Sequence, residues 1–343
     1  MDARGVKKIA KRSYDSHPGS GTSALNQTFL ETVVYHHRTY QAYAIENLAY
    51  LVPTDEEEEE RLHIMHNVLS RIFDGRLVFP PINRPRRILD CGHGTGSWAL
   101  EVAELNSRCE VIGVDINPSM HPQKQPVNLY LQVDDLNRRL TFNPNHFDLV
   151  NSRLVAQGIH TNRWTQYMRD LLRVIRPGGW CQMVEIYLNF QSDNGTLTPG
   201  QYQTALKLKA GEFNLIFLID HALQQWSARY LESMNGLKDL RAATRLPNLM
   251  REAGFVDVES RMITVPTCAW SSDKRENEIG AANRDNVQRM LESFAIFPFT
   301  ERLGMTSQDA HLLIAQARVE ADNPAFKVWS YLVNCPNIPL TER

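Results

Sequence analysis

The 343-residue sequence lacks a long uninterrupted hydrophobic run. Its apolar stretches are short and broken by charge, so none reads as a membrane span. It also lacks a charge excess. With 37 basic and 39 acidic residues, net charge is −2 and the pI is about 6.6, so nothing points to nucleic acid or an anionic membrane surface as a partner. Cysteine is sparse. Cys91, Cys109, Cys181, Cys268 and Cys335 are odd in number, and none are spaced as CxxC, which argues against a zinc site or a disulfide framework. The N-terminal stretch MDARGVKKIAKRSYDSHPGSG has no apolar core of the secretory kind. Together these absences lead us to expect a reducing, cytoplasmic setting and no metal.

What is present has a clear order. Residues 1–24 are polar and rich in Ser, Gly and Pro and read as a flexible leader. Residues 25–80 read as an N-terminal helical lid. Thr54 or Asp55 can cap a helix whose first turn is acidic, and Leu62, Met65, Leu69 and Ile72 recur at helical spacing. The acidic run 55–60 reads as a solvated helix start. From residue 81 to 190, apolar strands at 86–91, 110–115, 128–133, 147–151 and 180–190 alternate with helices, the pattern of a mostly parallel sheet covered on both faces. Pro177-Gly178-Gly179 reads as the stop between the last helix and the fifth strand. Residues 191–245 read as a helical insert or cap, and 246–343 as the remainder of the core. That remainder contains a helical segment at 283–321, broken at Pro298, and a final strand at 326–335.

The most informative segment is ILDCGHGTGSW, residues 88–98. A strand runs into glycines at alternate positions (Gly92, Gly94, Gly96) and then into a helix. Such glycines allow a tight turn and let a ligand approach the main chain. A second strand ends in Asp115, about 20 residues further on, where a carboxylate can accept both ribose hydroxyls of an adenosyl ligand. The spacing is G-x-G-x-G rather than G-x-G-x-x-G, and no GK[ST] follows, which excludes a phosphate-cradling loop. Asp90 would repel a pyrophosphate but suits an ammonium group. Asp134-Asp135 ends the third strand and can accept from an adenine amino group. Together these features point to S-adenosylmethionine (SAM) as the cofactor.

With these motifs in place, the sequence resembles the fungal LaeA-like group of class I SAM-dependent methyltransferases. The resemblance runs through RL-x-x-x-H (Arg61-Leu62, His66), RRILDCGHGTGSWALEVAE, EVIGVDINPS, DD, FDLVNSR and IRPGGW. It covers roughly residues 30–190. It implies a Rossmann-like α/β fold with a seven-stranded, mostly parallel sheet, N-terminal helices and a helical cap inserted after the fifth strand. It also implies that Asp90, Gly92, Gly94, Asp115, Asp134 and Asp135 contact SAM, with Gly96 and Ile116 beside them. His93 departs from the group, which usually has a threonine there; a ring could crowd or hydrogen-bond the methionine carboxylate. Some members of the group are nuclear regulators that bind velvet-type proteins, and others tailor small molecules of secondary metabolism. A third use of the fold is a pericyclase-like enzyme that keeps SAM without transferring its methyl group.

Methyl transfer is an in-line displacement, and an oxygen or nitrogen acceptor can require a general base. Three residues are candidates for catalysis: His160, after the fourth strand, and Glu185 and Tyr187, alternating on the fifth. A surface histidine and a core tyrosine are the competing readings. Tyr35 and Arg38 are candidates to meet the methionine carboxylate. The aromatics Phe213, Phe217, Trp226, Phe294, Phe297 and Phe299 read as cap core, with an apolar pocket roof or a homodimer face as the other options. The expected partner is a small-molecule substrate.

Overall fold

The computed structural model describes residues 25, 27–122, 124–192, 194 and 221–339. The expected leader, together with Phe213 and Phe217, lies outside the described residues. A hairpin comes first, of β1 (Thr32–Tyr35) and β2 (Arg38–Gln41), with Tyr35 opposite Arg38. Its turn residues His36 and His37 both have positive φ, 49° and 64°. That is the conformation two-residue hairpin turns demand, usually met by Asn and Gly. The β-branched run Thr32, Val33 and Val34 favours the extended state. This corrects the expectation of an all-helical lid over 25–80. The helical part is a short α1 (Ala42–Glu46) and a long α2 (Glu56–Ile72).

Asp55 caps α2 by accepting from the Glu58 N–H at 3.2 Å, and four glutamates occupy the first turn, where the helix dipole favours negative charge. The buried face of α2 carries Met65, Val68, Leu69 and Ile72, which pack on Val184, Val265 and Leu332 of the sheet. The remaining elements are β3 (Arg87–Cys91), α3 (Ser97–Leu105), β4 (Glu110–Asp115), β5 (Leu129–Val133), β6 (Phe147–Arg153), α4 (Trp164–Val174), β7 (Ile175–Ser192), α5 (Ala222–Met234), α6 (Ala242–Ala253), β8 (Phe255–Val256), β9 (Arg261–Pro266), α7 (Lys274–Ser293), α8 (Ser307–Ala321) and β10 (Val328–Pro339).

The main sheet runs β5-β4-β3-β6-β7-β10-β8, and β9 also pairs with β10. β8 and β9 share the outer position beside β10, so the strands fill the seven positions expected. The pairs among β3 to β7 are parallel, and β10 is antiparallel to its neighbours. Beyond its first residue β3 is buried on both faces, as a central parallel strand should be. From β3 the chain builds outward through β4 and β5, then returns to build β6 and β7 on the other side. The strand order therefore reverses between β3 and β6, and ligands of such sheets bind at the carboxyl ends of the strands there.

Two local expectations change. Pro177-Gly178-Gly179 lies inside β7 instead of before it, and the β6–β7 register shifts between Phe147 and Leu149. A Cβ on Gly179 would come within 3.0 Å of the Asp148 carbonyl oxygen, so glycine lets the two strands close there. The helices expected over 283–321 begin earlier, at Lys274, and Pro298 opens a π-helical turn (Pro298–Arg302) between α7 and α8. Trp226, Phe294, Phe297 and Phe299 pack with Tyr40 and Phe190 in one apolar cluster beneath α5, α7 and α8. The Trp226 indole N–H donates to the Leu291 carbonyl at 2.8 Å. These aromatics form the core of a helical layer. Among the described residues no helix is long and apolar enough to cross a membrane.

Candidate active site

A cleft enclosing about 1000 Å³, part of it open to solvent, lies over the strand ends at the reversal point. One edge is the turn between β3 and α3. Gly92, Gly94 and Gly96 all have positive φ (72°, 57° and 77°), a backbone state that side chains with a Cβ rarely adopt. Gly92 is doubly constrained, because a Cβ there would sit 2.6 Å from Val155 Cγ1. The Asp115 carboxylate pins the turn: one oxygen accepts from the Gly94 N–H and the other from the Asn117 N–H, each at 2.9 Å. Asp115, Ile116, Asp134 and Asp135 all line the cleft. Burial pushes the Asp134 carboxyl up to about 6. Asp135 accepts from the Asn137 backbone and side chain and from the Tyr43 hydroxyl.

This edge fits SAM. The glycine turn is a cradle that a Cβ would fill or strain, and the acids at Asp115, Asp134 and Asp135 match ribose hydroxyls and an adenine amino group. When bound, SAM supplies an electrophilic methyl group on a sulfonium. His93 lines the cleft from within the loop. Its Nδ1 lies 2.9 Å from the Gly94 carbonyl, so it donates there, while its buried Nε2 has no partner among the described residues. The ring packs against His121 at 5.0 Å. Asp90 is set back: it is buried, does not line the cleft, and accepts from Asn151 Nδ2 at 2.7 Å. Asn151 in turn accepts from Gln182 Nε2 at 2.8 Å.

The other edge is formed by α2, the chain just before it and the end of β6. Tyr50, Glu58, Leu62, Met65, His66, Arg153, Leu154 and Val155 line it. Glu58, expected to be solvated, is fully buried. Its carboxylate grips Arg61 through bonds of 2.6 and 2.8 Å, and Arg61 also donates to Asn286 at 2.9 Å. The clue in the sequence was position: Glu58 sits on the same helical stripe as Leu62, Met65 and Leu69. Arg153 Nη2 lies 3.2 Å from His66 Nδ1, and His66 Nε2 lies 2.8 Å from Glu101.

The residues expected to act as bases do not reach this cleft. Glu185 is buried in the sheet, where its carboxylate oxygen accepts from the Val155 N–H at 2.7 Å, and burial pushes its carboxyl up to about 8. It holds the wall residue that touches Gly92. Tyr187, on the same face of β7, packs on the apolar core beside Glu185. His160 Nε2 bonds the Leu48 carbonyl at 3.0 Å, anchoring the segment that leads to Tyr50. Burial and nearby Lys238 push its imidazole below the usual range. The two residues expected to meet SAM from the N-terminal segment are also elsewhere. Arg38 forms a two-pronged ion pair with Asp55 at 2.7 and 2.8 Å, and Tyr35 packs edge-on against Phe297. Asp55 lies 17 positions beyond Arg38, on the far side of α1.

Residues 88–179 match a family described as a methyltransferase domain. The methyltransferase pytC of Aspergillus terreus is 28% identical, over 88% of this chain and 86% of its own length. The chain is a SAM-dependent methyltransferase. The secondary metabolism regulator laeA of Gibberella zeae is 26% identical, over 88% of this chain and 91% of its own length. Among solved structures, Haemonchus contortus phosphoethanolamine N-methyltransferase 2 in complex with SAM is 19% identical with a TM-score of 0.44, covering 80% of this chain and 52% of that one.

Proposed function

We propose that this methyltransferase acts on a small secondary metabolite with an apolar body, transferring a methyl group to an O, N or C nucleophile. The observation that carries the reading is the continuity of the cleft. The cofactor edge runs without a break into an apolar edge formed by Tyr50, Leu62, Met65, Leu69 and Leu154. The two edges face each other across one space that opens to solvent, so an acceptor held on the second edge lies beside the cofactor held on the first. The protein's contribution is alignment: the glycine turn and Asp115 fix the cofactor, and the α2 edge fixes the acceptor. Incubation with SAM and extracts rich in secondary metabolites should give a product heavier by one methyl group. No turnover across a broad panel would count against the reading.

The cofactor part has its own test. Asp115→Ala removes the carboxylate that faces the ribose position. S-adenosylhomocysteine (SAH) binding by calorimetry should weaken by roughly 1.5–3 kcal/mol for each charged hydrogen bond lost. Unchanged affinity would remove Asp115 from the site.

The second reading is a regulator acting through a velvet-type protein partner. It draws on the relatives named as secondary metabolism regulators, 24–28% identical to this chain. Capture of such a partner, with loss of a whole metabolite class on deletion, would favour it.

A further inference from the structure

Resting on the methyltransferase reading, we propose that Arg153 is the acceptor-recognition residue and that the acceptor is an acidic oxygen compound, a carboxylic acid or acidic enol, bound as its anion. Arg153 ends β6 and lines the α2 edge of the cleft. It also lines a small adjoining chamber walled by Phe73, Leu77, Phe79 and Trp98, and His66 and Leu69 are shared between the two spaces. A guanidinium therefore stands where an apolar chamber meets the cofactor cleft.

Its donors are largely unspent. A guanidinium carries five N–H groups, and among the described residues its hydrogen bond goes to a ring nitrogen, His66 Nδ1 at 3.2 Å. No described carboxylate forms a direct ion pair with it. Asp90 and Glu101 act on it only through space, because Asp90 is bonded to Asn151 and Glu101 to His66. A half-buried guanidinium with free donors favours an anion that can take two of them at once.

The absence of a free base among the described residues of the same edge points the same way. Glu58 is committed to Arg61. His66 has both ring nitrogens engaged, one accepting from Arg153 and the other donating to Glu101. His160, Glu185 and Tyr187 lie outside the cleft lining. An acceptor that is already ionised needs no base. Its oxygen lone pair forms the new bond to the methyl carbon, and the carbon–sulfur bond gives its electron pair to sulfur. No proton moves, and the anion becomes a neutral ester or enol ether. The product then has no charge to hold it on Arg153. A cationic amine acceptor would meet repulsion at the same point.

The test titrates the SAH-loaded protein with three ring compounds of similar size, benzoate, benzamide and benzylamine, near neutral pH. Benzoate should bind at least about tenfold more tightly than benzamide, the worth of one charged hydrogen bond, and benzylamine should not bind. Arg153→Gln should abolish the preference while SAH affinity stays unchanged, and Arg153→Lys should restore part of it. Equal binding of benzoate and benzamide by the unaltered protein would overturn the role of Arg153, even if Arg153→Gln failed to fold. So would a folded Arg153→Gln that lost SAH instead, since the guanidinium would then be holding the methionine carboxylate. A wild-type chain that bound no SAH would overturn the methyltransferase reading beneath it.

Discussion

The two edges of the cleft are built by different means. The cofactor edge is mostly backbone: a glycine turn, the N-terminus of α3 and the ends of adjacent strands, pinned by Asp115 at 2.9 Å. The acceptor edge is mostly side chains from distant parts of the chain, held by buried charge pairs such as Glu58–Arg61. A backbone edge is intolerant of bulk but indifferent to much of its surroundings. A side-chain edge tolerates reshaping but depends on each polar group keeping its partner. Damage to the first should appear as lost cofactor affinity, and damage to the second as lost stability.

The largest effect should come from the acceptor edge. Arg61→Met strands the Glu58 carboxylate, which has no solvent exposure. Breaking a buried pair from one side costs about 3–5 kcal/mol. Urea unfolding should register that loss, while SAH affinity of the folded protein stays close to that of wild type. A loss below about 1 kcal/mol, the scale of an exposed pair, would erase the contrast between the edges.

Gly92→Ala should reverse the pattern. The new Cβ must adopt φ near 72° and meets Val155 Cγ1 at 2.6 Å. Strain and crowding together come to about 2–4 kcal/mol, felt at the turn proposed to hold SAM. SAH affinity should fall by one to three orders of magnitude, at about 1.4 kcal/mol per tenfold. If stability falls and affinity does not, the glycine serves packing alone.

The smallest effect sharpens the boundary between the edges. Burial raises the Glu185 carboxyl from its ordinary 4.5 to about 8. A raised carboxyl binds a proton more tightly in the folded chain, so its contribution to stability is full below about 4.5 and is lost as pH rises through about 8. Glu185→Gln keeps an oxygen for the Val155 N–H and cannot ionise. The melting temperature of the variant should therefore decline less than that of wild type over this pH range. Parallel curves would mean that Glu185 does not titrate there.

The contrast also explains what could be read from the sequence. The glycine turn, Asp115 and Asp134-Asp135 were legible because their geometry is local: a strand end, a turn and a helix start, each within a few residues. The mostly parallel sheet followed from the βαβ alternation. The acceptor edge was not legible, since its members meet only through the fold. Glu185 and Tyr187 were assigned to the wrong face because alternation along a strand shows that two residues share a side, not which side. Glu58 was hidden in a run of five glutamates in which only the helical phase distinguishes the buried one. The hairpin at Thr32–Gln41 escaped notice because its turn carries two histidines, a rare choice for positive φ. Arg38 was assigned to the cofactor because its partner Asp55 lies 17 positions on, beyond α1.

The antiparallel strand β10 has a consequence for how the molecule is made. It lies between β7 on one side and β8 and β9 on the other, yet it follows all of them in the chain. During synthesis, β7 and β9 emerge long before the strand that joins them, each with one side left without its final partner. Unpaired strand edges recruit other chains, so the nascent protein passes through an interval of exposure that ends only when Val328–Pro339 slots into place. Substitutions in that strand should therefore be felt in the yield of folded protein made by the ribosome, even where the finished molecule tolerates them.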